Sequence, residues 1–352
     1  MTVADHINEN LSSSEKRMKR KWRNRNEISV EELAEGIGKQ DRTLLAQAIT
    51  LIESTSNKHV IKAQELIRKI LPFTGRSVRI AVTGVPGAGK STFIEALGTL
   101  LCEQGNRVAV LAVDPSSSIS GGSILADKTR METLATNKHA FIRPTPSRGQ
   151  LGGVGRNTRE TILLCEAAGY NIILIETVGV GQSEGIVRSM VDCFLLLVLT
   201  GAGDDLQTIK KGVIELSDII VVNKADGNNK PKAQVTAKDY NRILHYFTPM
   251  TPGWTPKAVT ASSLHKDDID IIWDLIQAFI EDTKSSGFFD KRRQEQKKEW
   301  MYFAIKDYLE IDFFANKKIK GYLPRVEKNV IDGIQPVTLA VKELVDLYLY
   351  GK

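Results

Sequence analysis

One stretch, Val78 to Thr92, constrains this chain more than any other. It reads Val-Arg-Ile-Ala-Val-Thr-Gly-Val-Pro-Gly-Ala-Gly-Lys-Ser-Thr. An apolar run, Ile80 to Val82, leads into Gly84, Val85, Pro86, Gly87, Ala88, Gly89, Lys90, Ser91 and Thr92, and helix formers follow from Phe93 to Leu101. Gly-x-x-x-x-Gly-Lys-Ser between a strand and a helix is the P-loop pattern. The glycines let the backbone curl so that several N–H groups converge on one phosphate. The helix behind them aims its positive end at the same point. Lys90 supplies a mobile charge for β- and γ-phosphates, and Ser91 offers a hydroxyl to a Mg²⁺ ion that keeps most of its waters.

The rest of the chain is organised around that strand. Apolar runs at Val78–Thr83, Arg107–Val113, His139–Arg143, Asn171–Glu176, Cys193–Leu199, Ile219–Asn223 and Lys257–Ala261 read as strands, several of them apolar throughout, as strands buried on both faces are. Helical segments fill the gaps. The order predicts an α/β P-loop NTPase fold: a mainly parallel sheet flanked by helices, plus N-terminal helices and a C-terminal helical tail. Three regions are expected: a basic arm with helices over 1–74, the P-loop domain over 75–285, and a helical extension over 286–352. Ser29 and Glu32 fit a capping box, and Asp41 suits a second helix start. Leu44, Leu45, Ala48, Leu51 and Ile52 form one apolar stripe, and Val60, Ile61, Leu66 and Ile67 a second, which Pro72 closes. In the tail, Trp300, Met301, Phe303, Ala304, Ile305, Tyr308 and Leu309 form an apolar face. The tail is too short for an independent core, so it should pack on the main domain or on a second copy of the chain.

Two further strand ends carry chemistry. Asn171–Glu176 ends in Glu176-Thr177-Val178-Gly179, and an acidic side chain there suits Mg²⁺ held through water, although aspartate is commoner. Gly179 can set its N–H against a γ-phosphate, and Val180-Gly181-Gln182-Ser183 can move when that phosphate leaves. Gln182 is a candidate for orienting the attacking water, or a plain loop residue. Asp114 and Asp127 are candidates for orienting metal-bound or attacking water; the alternatives are a helix cap and a surface charge. The run Ile219–Val222 delivers Asn223-Lys224-Ala225-Asp226, roughly 130 residues beyond the P-loop. The Asp226 carboxylate can accept from guanine N1–H and the 2-amino group, a donor pair that adenine lacks. Asn223 steadies the loop, the Lys224 stem can lie along the base, and Ser262-Ser263-Leu264 completes the pocket.

Charge and composition narrow the classes. The net charge of +6 comes from two patches, residues 1–30 at +3 and residues 284–300 at +3, so the balanced remainder does not suggest a nucleic-acid surface. Cys102, Cys165 and Cys193 are far apart in apolar contexts and read as core residues of a reducing compartment. No apolar run is long enough to span a membrane. Asp5, Glu9 and Glu15 argue against a transit peptide. The expectation is a soluble cytoplasmic protein with a solvated basic arm, or an arm that docks on an acidic partner.

Several longer strings add to this. Gly84–Thr92, Asp114–Met131, Pro146–Arg156, Glu176–Glu184, Gly201–Gly212 and Asn223–Asn228 together resemble the G-protein chaperones of adenosylcobalamin-dependent methylmalonyl-CoA mutase, the MeaB family, also called ArgK. The Asp-Pro-Ser-Ser and Glu-Thr-Val-Gly-Val-Gly-Gln-Ser-Glu strings are the most specific of them. The resemblance implies a GTPase using GTP, GDP and Mg²⁺, a homodimer around nucleotide, and a cobalamin-dependent acyl-CoA mutase as partner, with GTP hydrolysis gating cofactor delivery and release of damaged cofactor. It also implies that Gly201–Gly212, with Asp204, Asp205, Gln207 and Lys210, is a third switch segment at the mutase contact. The rival readings are a kinase of a transport-binding protein and a metal-inserting GTPase of the same fold. Asn223–Asp226 argues against ATP in the first; five scattered histidines and no Cys-x-x-Cys argue against the second.

Overall fold

The computed structural model describes residues 28–54, 56–114, 131–146, 151–177, 184–200 and 211–351. Its chain divides into two compact units, Met1–Thr283 and Lys284–Lys352.

The first unit opens with α1 (Val30–Gly38), α2 (Arg42–Ile52) and α3 (Asn57–Ile70), closed by a 3-10 turn over Leu71–Phe73. Their starts follow from side-chain acceptors. Ser29 Oγ accepts the Glu32 N–H at 3.1 Å, and Asp41 Oδ1 accepts those of Thr43 and Leu44 at 2.7 and 3.1 Å. Leu33, Ile37, Leu45, Ala48, Ile49, Leu66 and Ile70 are buried in the same core as the sheet. The α3 stripe differs from the sequence reading. Ile61 is 69% exposed, and Ala63, Leu66 and Ile70 face inward instead. Ile61 lies off the line that i, i+3 and i+7 draw on a helix.

Seven strands follow: β1 (Val78–Gly84), β2 (Val108–Asp114), β3 (Ala140–Pro146), β4 (Ile172–Thr177), β5 (Cys193–Val198), β6 (Ile219–Val222) and β7 (Lys257–Thr260). They form one sheet in the order β3-β2-β4-β1-β5-β6-β7, with every pairing parallel. Every residue of β5 and β6 is buried, which explains their uninterrupted apolar runs. Between and after the strands run α4 (Lys90–Glu103), α5 (Glu132–Thr136), α6 (Leu151–Ala167), α7 (Glu184–Arg188), α8 (Lys211–Glu215), α9 (Lys230–Leu244) and α10 (Ile269–Ser285). The P-loop strand β1 sits between β4 and β5, so the loop after it emerges mid-sheet. Among the described residues no helix is long and apolar enough to cross a membrane.

The second unit holds α11 (Phe288–Ala315), α12 (Lys317–Ile331) and α13 (Val337–Tyr350). Asn316 Oδ1 starts α12 by accepting the Lys318 N–H at 2.9 Å. Contrary to the expectation from its length, this segment has a small core of its own: Ile319, Val326, Ala340 and Leu344, with Phe313, Tyr322 and Leu347 packed against them. The apolar face expected on the first helix lies elsewhere than in that core. Met301, Ile305, Tyr308 and Leu309 are all exposed.

Candidate nucleotide site

The motif residues gather at the carboxyl ends of β1, β4 and β6, the edge where open parallel sheets bind ligands. Gly84 ends β1 at φ +151°, and a Cβ there would lie 2.4 Å from the Leu197 carbonyl oxygen on β5. Gly89 caps α4 in the left-handed region at φ +88°, a conformation open to glycine. A Cβ on Gly89 would meet Asn223 Nδ2 at 2.7 Å, so the two loops touch there.

Lys90 begins α4, and its ammonium donates to the Gly84 and Val85 carbonyls at 2.9 and 3.2 Å. The loop thus wraps the charge that it presents. Burial pushes the Lys90 pKa down, and the carboxylates of Glu176 and Glu184 oppose that shift. Ser91 Oγ donates to Glu176 Oε1 at 2.9 Å. Glu176 stands in register with Val82 on β1 and Ala112 on β2, so the sheet itself sets its place. The next residue, Thr177, donates its hydroxyl to Thr83 Oγ1 at 2.8 Å and ties the two strand ends together. A hydroxyl and a half-buried carboxylate converging on one point are hard oxygen donors. Mg²⁺ fits such a pair, since it takes one or two protein ligands and fills its octahedron with waters and phosphates. Asp114 is the last residue of β2, at the same edge.

The Asn223–Asp226 loop is held from three sides. Its Asn223 N–H donates to the Val198 carbonyl at 2.9 Å, and the Asn223 side chain, 1% exposed, donates from Nδ2 to the Ala88 carbonyl at 2.8 Å. Its Oδ1 accepts from the Ser263 hydroxyl at 2.7 Å and the Ser263 N–H at 3.2 Å. Lys224 takes φ +59°, uncommon for a side-chain-bearing residue, and its carbonyl accepts from Asn229 Nδ2 at 2.7 Å. Asp226 Oδ2 accepts the Ser262 hydroxyl at 2.9 Å. Ser262 is fixed in turn by a two-way backbone bridge with Asp267, at 3.1 and 3.0 Å. Leu264 is largely exposed. Gly84 to Thr92, Glu176, Asn223, Lys224, Asp226, Ser262 and Ser263 therefore form one connected constellation. Asp127, Gly179, Gly181, Gln182, Asp204, Asp205, Gln207 and Lys210 lie outside the described residues.

The sequence reading passed over two features. Glu184, the first residue of α7, is 1% exposed, and its carboxylate acts on Lys90. Arg188, at the other end of α7, forms a buried bidentate pair with Asp218 at 2.5 and 2.8 Å. Glu184 closes the string that begins at Glu176, but a charged pair of residues on a short helix reads from sequence as a solvated face.

Comparison with known proteins follows the same lines. The family described as methylmalonyl Co-A mutase-associated GTPase MeaB matches residues 45–318. A putative GTPase of Caulobacter vibrioides is 49% identical over 318 residues, covering 90% of this chain and 97% of that protein. The GTPase ArgK of Escherichia coli is 46% identical over 297 residues, covering 84% of this chain and 90% of that protein. A mouse protein named methylmalonic aciduria type A homolog, mitochondrial, is 42% identical over 342 residues, covering 94% and 80%. A crystal structure described as an LAO/AO transport system kinase superposes with a TM-score of 0.73 at 37% identity, covering 92% of this chain and 98% of that one.

Proposed function

We infer, from the premise that this chain belongs to the methylmalonyl Co-A mutase-associated GTPase MeaB family, that it is a GTP-driven chaperone of a cobalamin-dependent acyl-CoA mutase. The chain is a P-loop GTPase, and guanine nucleotide binding comes with the family. The step beyond that is the partner: methylmalonyl-CoA mutase, whose cofactor loading and release GTP hydrolysis would gate, in the cytoplasm. The family's association with that mutase and the mouse relative's name support it.

The observation that carries the nucleotide assignment is the Asn223 side chain, bonded at once to the P-loop carbonyl of Ala88 and to Ser263. It makes the phosphate cradle and the base reader one rigid unit. In the proposed mechanism the Gly84–Thr92 backbone and Lys90 hold the β- and γ-phosphates and neutralise charge as it develops. Asp226, oriented by Ser262, accepts from the guanine edge. Ser91 and Glu176 would hold Mg²⁺, which would supply neutralisation of the phosphate charge. Asp114, Asp127 and Gln182 are the candidates for positioning the attacking water, and Gly179 and Gly181 for following the γ-phosphate. A base reader built for guanine disfavours the ATP-kinase alternative. We also propose a homodimer, supported by the exposed stripe Met301, Ile305, Tyr308 and Leu309, whose i, i+4, i+7, i+8 spacing is that of one apolar helix face.

Co-precipitation with purified methylmalonyl-CoA mutase, with GDP or with a non-hydrolysable GTP analogue, tests the partner. Nucleotide-dependent capture, together with accelerated GTP turnover in the mixture, is expected. No capture with either nucleotide would overturn the mutase reading and leave the GTPase in place.

A further inference from the structure

The residue at the start of α9 does not cap it. Asn229 closes the 3-10 turn Gly227–Asn229 and stands at the N-cap of α9, yet its side chain makes no cap hydrogen bond. Asparagine is among the best N-cap residues, so a side chain that forgoes the cap is held by something else. Asn229 Nδ2 donates to the Lys224 carbonyl at 2.7 Å, and Oδ1 accepts the Thr200 hydroxyl at 2.7 Å. Its backbone N–H donates to the Asp226 carbonyl at 2.9 Å. The two ends of the amide cannot exchange roles. A carbonyl only accepts, so Nδ2 must face Lys224 and Oδ1 must face Thr200, whose hydroxyl then donates. A chain of donors thus runs from Thr200, two residues past the end of β5, through Asn229 to the base-reader loop.

Lys224 is the residue that needs holding. Its φ of +59° lies in the left-handed region, which a side-chain-bearing residue keeps where its surroundings fix it. Its side chain is exposed, so packing does not set its direction. The Lys224–Ala225 peptide does. The Ala225 N–H donates to the Ala261 carbonyl at 2.9 Å on one side, and the Lys224 carbonyl accepts from Asn229 on the other. We propose that Asn229 is a positioning residue for the guanine base: oriented by Thr200, it pins this peptide so that the Lys224 stem and the Asp226 carboxylate meet the base together. The proposal rests on the reading of Asn223–Asp226 as the base reader. None of these bonds reaches Gly84–Thr92, so their loss should act on nucleotide affinity and spare the phosphate chemistry.

Titration of the full chain with fluorescent (mant) GDP, beside steady-state GTP turnover, tests this. Asn229→Ala should weaken GDP binding and raise KM for GTP by about tenfold, the order expected for one lost hydrogen bond whose acceptor is left unpaired, with kcat unchanged. Asn229→Asp keeps the shape and an equally good cap for α9 but sets an acceptor against the Lys224 carbonyl, so it should weaken binding at least as much. A role confined to starting α9 predicts wild-type affinity for that variant. Thr200→Val frees the amide to turn and should weaken binding by about threefold. In the Asn229→Ala background the same change should add nothing, since Thr200 acts through Asn229, and Thr200→Ser should rescue the loss by keeping the hydroxyl. Wild-type affinity in Asn229→Asp, a kcat that falls as far as affinity does in Asn229→Ala, or additive losses in the double variant would each overturn the proposal. If neither Asn229 variant folds, Thr200→Val against Thr200→Ser decides: weakening in the first alone supports the proposal, and equal values overturn it. Asp226→Asn separates the two levels. Unchanged GTP affinity there would remove the base reader and this proposal with it, whereas lost GTP affinity there and wild-type affinity in Asn229→Asp would remove only this proposal.

Discussion

Replacing Asn223 by alanine removes a side chain that holds two loops together. Three hydrogen bonds go: to the Ala88 carbonyl at 2.8 Å, and from the Ser263 hydroxyl and N–H at 2.7 and 3.2 Å. All three groups are buried; Ala88 is 0% and Ser263 5% exposed. A neutral hydrogen bond contributes about 1 kcal/mol net, and each buried group left unpaired costs about 1–3 kcal/mol. Ser263 Oγ can rotate to another acceptor, so the sum falls to about 2–4 kcal/mol, against a total of about 5–15 kcal/mol for a folded domain. With a urea dependence of about 1–3 kcal/mol per molar, the unfolding midpoint should drop by about 1–2 M. Urea titration followed by circular dichroism, without nucleotide, measures this. Titration with fluorescent GDP and GTP should show both affinities falling together, because base reader and phosphate cradle separate. A midpoint and affinities equal to wild type would refute the claim that Asn223 couples the loops.

Asp226→Asn should turn the base reader towards xanthine. Losing the pair of charge-assisted bonds to guanine costs about 3–5 kcal/mol, or roughly two to three and a half decades in GTP affinity, and xanthosine triphosphate should bind the variant better than GTP; unchanged GTP affinity in a direct titration would take Asp226 out of the base pocket. Lys210→Ala, in the segment that the family resemblance sets at the mutase, should lower mutase-stimulated GTP hydrolysis far more than basal hydrolysis, and equal effects on the two rates would count against it. Arg188→Ala strands Asp218 in the core and should cost about 3–5 kcal/mol of stability; a chemical-denaturation midpoint matching wild type would show that the pair does not anchor α7.

The strands were legible for a physical reason. A parallel strand covered on both faces has no solvent side, so Phe194 to Leu197 and Ile219 to Val222 are apolar without a break; six of the strands shifted at their ends by one residue at most, while β3 runs three residues past the expected Arg143, to Pro146. The P-loop and the Asn223–Asp226 loop could be placed at strand ends from sequence because such loops keep fixed spacings from the strands that carry them. The role of Ser262 as the hydroxyl that orients Asp226 was legible only as membership of a pocket. Glu184 and Arg188 were illegible as buried charges, since burial of charge has no local signature and the Arg188 partner, Asp218, is remote in sequence. Ile61 misled because a helix stripe is defined by angle, and a one-residue offset turns a side chain by about 100°. In the tail, Met301 to Leu309 carries a sound apolar periodicity. Periodicity alone cannot say whether the covering surface belongs to the same chain, and here the unit's own core was built from Ile319, Val326, Ala340 and Leu344 instead.

Gly84 has a consequence for how defects in this protein would present. The first glycine of the motif is held against the Leu197 carbonyl of β5, where a Cβ would lie 2.4 Å from the oxygen, and that contact is between two neighbouring central strands. A methyl group there is a wedge in the sheet before it is an obstacle to phosphate. Gly84→Ala would therefore be lost as protein, degraded or aggregated, and growth at lower temperature would restore some of it. Lys90→Ala, six residues on, puts no wedge in the sheet and should accumulate as folded protein that fails to hold nucleotide. The amount of folded protein in the cell would therefore tell the two defects apart: depleted in the first variant, normal in the second.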